Sequence, residues 1–79
     1  MTVRRGDAHL VELTLSPESR VGGNRVDTVV WPMDTALVAI VRGGRVITPT
    51  PDDTLEAGDE LLFVSAEDQE EALENLLAD

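Results

Sequence analysis

From His9 to Leu15 apolar and polar residues alternate, with Val11, Leu13 and Leu15 on one side and Glu12 and Thr14 on the other. A period of two predicts a half-buried strand, which Ser16-Pro17 stops. From Arg25 to Trp31 the spacing changes. Val26, Val29 and Val30 fall at i, i+3 and i+4. That predicts a short helix with one apolar stripe, with Asn24 as its cap, although β-branching pulls against it. Pro32 ends the segment.

Residues 36–41 are apolar without interruption, the longest such run in the chain. Six residues suit a central strand covered above and below. Arg42-Gly43-Gly44-Arg45 and then Val46-Ile47-Thr48 follow. Two β-rich runs around Gly-Gly predict a two-residue hairpin, because its turn needs positive φ at both central positions. Residues 49–54 are turn-rich, and residues 56–59 form a second turn around Gly58. Residues 60–64 predict another strand, again apolar on both faces. Ser65 reads as the cap of a last helix, with Asp68 at capping-box spacing and Ala72, Leu73, Leu76 and Leu77 as its apolar stripe.

The predicted order is β-α-β-β-β-α, an α+β fold with a four-stranded, mostly antiparallel sheet and two helices. Residues 1–8 are expected to form a flexible arm and residues 9–79 the folded domain. Two helices, one very short, cannot cover both faces of such a sheet. A second copy or a neighbouring domain is expected on the exposed apolar face.

Composition sharpens this. Seventy-nine residues make one small domain, with a core that supplies no more than about 3–5 kcal/mol. The chain has no Cys, so neither a disulfide nor a thiolate metal site reinforces it. The remaining reinforcement is a partner surface. Sixteen acidic residues against six basic ones, all Arg, give a net charge of −10. Such a chain repels nucleic acid and an anionic membrane leaflet. Lys and Tyr are absent, which removes Schiff-base chemistry and a phosphate-loop lysine. No stretch reaches the ~20 apolar residues of a membrane span. The N-terminal segment has two Arg with no apolar core after them, so it does not read as a signal peptide.

Candidate chemistry is sparse. His9 is the sole imidazole, and no serine near it carries the local signature of a nucleophile. No enzyme is expected. Asp52, Asp53 and Glu56 lack the alternating spacing of a calcium loop, and the acidic residues from Glu67 to Glu74 read as a solvated helix face. No metal or cofactor is expected. The best anion-binding candidate is Arg20-Val21-Gly22-Gly23-Asn24-Arg25, where Arg20, Gly22, Gly23, Asn24 and Arg25 combine backbone N–H groups, a helix start and two guanidiniums. The competing reading is a turn that positions the helix. Arg42 and Arg45 read as exposed strand ends. Val29, Val30, Trp31 and Met33 form an apolar cluster that suits either a dimer interface or a pocket, or ordinary core.

Taken together, Val11-Glu12-Leu13-Thr14-Leu15, the Ser19-to-Gly23 loop, Ala36-to-Pro49 with its Arg42-Gly43-Gly44 turn, and Asp52-to-Leu61 with Leu55-Glu56-Ala57-Gly58-Asp59 resemble one family. It is the TrkA-C domain, the C-terminal domain of regulators of potassium conductance, and the resemblance spans residues 10–77. It implies a cytoplasmic, homodimeric, ligand-sensing regulatory domain tied to a membrane cation transporter or channel subunit. The alternative is a purely structural dimerisation module. Some members of the family bind cyclic di-AMP through an Asp-Ile-Arg turn and an Asn ahead of the strand at Ala36. Here Trp31-Pro32-Met33-Asp34-Thr35 occupies that stretch, with neither the Arg nor the Asn, which argues against that ligand.

Overall fold

The computed structural model describes residues 8–66 and 69–78. Four strands, β1 (Ala8–Thr14), β2 (Thr35–Arg42), β3 (Arg45–Ile47) and β4 (Glu60–Ala66), form one open antiparallel sheet in the order β1-β4-β2-β3. Among the described residues one α-helix, α1 (Glu70–Leu77), follows the sheet. The predicted α+β class holds, as does the order of its four strands and last helix, and the Gly-Gly hairpin joins β2 to β3 with φ of 58° at Gly43 and 78° at Gly44.

The register sorts the residues into two faces. Direct partners in an antiparallel pair share a face. On one face lie Val11, Phe63 and Leu37 in one row, and Leu13, Leu61, Ile40 and Ile47 in the next. The core consists of Val11, Leu15, Val21, Ile40, Leu55, Leu61, Phe63, Leu73 and Leu77, so α1 delivers Leu73 and Leu77 onto this face. Leu15 continues past β1, and its amide and carbonyl bond the Asp59 carbonyl and the Gly58 amide.

Three sequence readings are corrected. The helix predicted over residues 25–31 shrinks to one 3-10 turn at Val26–Thr28, and Val29 is extended. The amides of Val26 and Asp27 donate to the carbonyls of Asp53 and Pro51, which pulls this backbone into pairing with a distant segment. Ser65 is not a helix cap. It sits within β4, opposite His9 and Thr35, and α1 begins four positions beyond Ala66. The predicted partner Asp68 lies outside the described residues, as do Glu67, Asp79 and residues 1–7 of the expected arm. Residues 36–41 are not covered on both sides within one chain. Ala36 and Val38 are exposed, and the extra residue between Leu37 and Ala39 makes a bulge.

Candidate functional site

The core and α1 lie on the face of Phe63 and Leu61, and the opposite face of the sheet is open. Its first row is Leu10, Val64 and Ala36. The second is Glu12, Leu62 and Ala39, and the third is Thr14, Glu60, Val41 and Val46. Leu10 is 68% exposed and Val46 76% exposed, with Val38 and Val64 also open to solvent. Apolar side chains in contiguous rows at this density mark an interaction surface. Among the described residues, the charged positions in these rows are two carboxylates, Glu12 on the outer strand and Glu60 at the start of β4.

At one end of this face lies a cavity of about 370 Å³ lined by Ala8, Asp34, Val64, Ser65 and Ala66. Asp34 adopts a φ of 60°, a left-handed backbone uncommon outside glycine, and its carbonyl accepts from the Ala66 amide at 2.9 Å. The Thr35 hydroxyl donates to the Pro32 carbonyl at 2.7 Å. The Ser65 hydroxyl is buried and has no hydrogen-bond partner among the described residues.

The apolar cluster before Asp34 divides. Trp31 packs against Phe63, with ring centroids 5.5 Å apart and tilted by 58°, and its indole N–H donates to the Val26 carbonyl. Val29 also packs on the core. Val30 and Met33 point outward, 87% and 79% exposed. The segment is therefore half core and half available surface.

The glycine loop is braced from within. The amides of Gly22, Gly23 and Asn24 donate to the carbonyls of Ser19, Leu55 and Val21, so the N–H groups offered to an anion are already engaged. Arg25 pairs with Asp27 at 2.7 Å. Arg20 reaches the end of α1, where its guanidinium donates to the Asn75 carbonyl and its amide to the Ala78 carbonyl. It supplies the cation that α1 lacks in its own last turn. His9 is an exposed residue of β1.

Sequence reading missed the strongest polar contact. Arg42, at the end of β2, donates through Nε and Nη2 to the two oxygens of Asp59, pairs with Glu56 at 2.9 Å and reaches the Thr54 carbonyl. Asp59 is 1% exposed and also accepts the Glu56 amide. Arg42 holds the Asp59 carboxyl below the usual carboxylate range, against the upward push of burial. The guanidinium is held above its ordinary value, chiefly by the same bond. Asp52 and Asp53 accept bonds from Thr50, while Glu56 faces Arg42. Among the described residues no three His, Cys, Asp or Glu converge to hold a metal. No described helix is long and apolar enough to cross a membrane.

Comparison with known proteins bears on this geometry. The family profile described as the TrkA-C domain matches residues 10–78. The Trk system potassium uptake protein TrkA of Mycobacterium tuberculosis is 51% identical over 77 residues, covering 98% of this chain and 35% of that protein. The chain thus spans about a third of the length of the curated relatives it first matches. A solved RCK_C domain dimer of S. agalactiae BusR in complex with c-di-AMP superposes with a TM-score of 0.75 at 28% identity, over 86% of this chain and 93% of that one. A structure of an RCK domain with cda, at 23% identity and a TM-score of 0.77 over 87% of this chain and 97% of that one, shares the fold.

Proposed function

Because the chain belongs to the TrkA-C domain family, we propose that it is the non-enzymatic regulatory module of a potassium or other monovalent cation uptake system, working as a homodimer. The observation that carries this is the open apolar sheet face, which one chain leaves unshielded; in this reading a second copy covers it. The BusR domain of the same fold is a dimer with c-di-AMP, which supports both the pairing and a ligand. The partner of the dimer is a membrane cation transporter or channel subunit, and the module sits on its cytoplasmic side.

Sensing works through orientation. The cavity beside Asp34 stands at one end of the open face, and Val30 and Met33, exposed in the segment that leads into Asp34, add apolar surface. A small molecule or nucleotide seated there, touching both copies, stabilises one relative arrangement over another. It shifts the equilibrium only as far as its affinity for the two arrangements differs.

Calorimetry and thermal melts against cyclic di-AMP, ATP, ADP and NAD test the reading. Saturable heat with a raised melting temperature supports ligand sensing, since binding to the native state stabilises it by mass action. Silence across the panel from a dimeric protein favours the purely structural dimerisation module.

A further inference from the structure

The charges on the open face carry one sign. Among the described residues, Glu12 and Glu60 lie in its rows, whereas Arg42 and Arg45 oppose each other on the covered side of the hairpin. Each chain carries a net charge of −10. Two copies laid face to face bury the rows of Leu10, Val64, Ala36, Leu62, Ala39 and Val41, and draw Glu12 and Glu60 of both copies, which stand within those rows, into the same contact. Apolar burial drives the contact, and like charge opposes it.

We infer that ionic strength sets the affinity of this interface, with the diffuse monovalent cation atmosphere as the signal it reads. This rests on the homodimer reading above. The distance over which exposed charges feel each other falls from about 30 Å at 0.01 M salt to about 3 Å at 1 M. Apolar attraction survives that change, and the repulsion between the two like-charged copies does not. Cations gather around a field of uniform negative sign without being chelated. A module attached to cation uptake then pairs more tightly as the surrounding salt rises.

The test is the dimer dissociation constant by sedimentation equilibrium across KCl from about 10 to about 500 mM. Four carboxylates across the contact, Glu12 and Glu60 from each copy, correspond to tightening on the order of tenfold. NaCl and tetramethylammonium chloride at equal ionic strength are expected to match KCl. The Glu12→Gln/Glu60→Gln double variant is expected to pair tightly already at low salt and to lose most of the slope. Glu70→Gln/Glu71→Gln, on α1 across the sheet, is expected to keep it. A flat or rising dissociation constant, a double variant with the wild-type slope, or a response to K⁺ alone overturns this inference and leaves the dimer standing. Wild type and double variant both monomeric at every salt concentration, with folded circular-dichroism spectra, overturn the homodimer reading itself.

Discussion

Arg42 clasps Asp59 with two hydrogen bonds, Nε to Oδ1 at 2.8 Å and Nη2 to Oδ2 at 2.7 Å. The clasp ties the end of β2 to the turn that launches β4, and Asp59 in turn holds Leu15 at the exit of β1 through its carbonyl. Replacing Arg42 with Ala strands a buried carboxylate. Breaking a pair of this kind costs about 3 kcal/mol. For a domain of this size that lowers the melting temperature by roughly 12–24 °C. Arg42→Lys is expected to recover only part of the loss, because an ammonium cannot repeat the forked contact. Differential scanning calorimetry of the two variants measures both effects.

The same clasp fixes a pH dependence. The carboxyl of Asp59 is held below its ordinary value in the fold, mainly by Arg42 and further by the Glu56 amide. A carboxyl with a lowered folded value stabilises the fold fully above its unfolded value, and that stabilisation is lost as pH falls through the folded one. Urea melts are expected to show constant stability from this group at neutral pH, declining below about pH 4. Asp59→Asn flattens that decline while lowering stability at pH 7. An unchanged acid slope in Asp59→Asn contradicts the assignment.

How much of this was legible beforehand follows from the range of each interaction. The alternation at residues 9–15 and the Gly-Gly turn are local signals, and both strands and hairpin formed where they pointed. The misread segment after Asn24 had helical spacing, but its amides found carbonyls near residue 52, and no local pattern encodes that pairing. Ser65 resembled a cap because the sequence does not show that His9 and Thr35 lie on either side to extend β4. Arg42 and Asp59 stand 17 positions apart and meet only once the register is set. A strand-end arginine and the aspartate of a Gly-Asp turn, read jointly, were the available clue. The apolar surplus, by contrast, was visible as composition, since residues 36–41 and 60–64 carry more apolar side chains than one helix can shield.

Trp31 anchors the boundary between core and surface. Trp31→Phe keeps an aromatic ring against Phe63 but loses the N–H bond to the Val26 carbonyl. The expected loss is about 1 kcal/mol. Chemical denaturation followed by circular dichroism, which does not depend on the lost indole, reads it. A loss well above that range would mean that the indole volume, rather than its bond, holds the segment.

Backbone strain gives a paired prediction. Gly44 has a φ of 78°, and open space surrounds the site of an added methyl group. Gly44→Ala is therefore expected to cost about 1–2 kcal/mol through conformation alone. Asp34, a non-glycine residue at a φ of 60°, is expected to respond the other way, with Asp34→Gly relieving a strain of about 1 kcal/mol. Thermal melts of the two variants are expected to move in opposite directions.

The central claim is that a second copy covers the apolar rows around Val64. Sedimentation velocity of the wild-type chain beside Val64→Asp, at matched protein and salt concentration, tests it most directly. The account predicts a wild-type species of twice the chain mass and a folded, monomeric Val64→Asp. A wild-type chain that stays monomeric at high concentration, or a Val64→Asp variant that pairs as tightly as wild type, contradicts it.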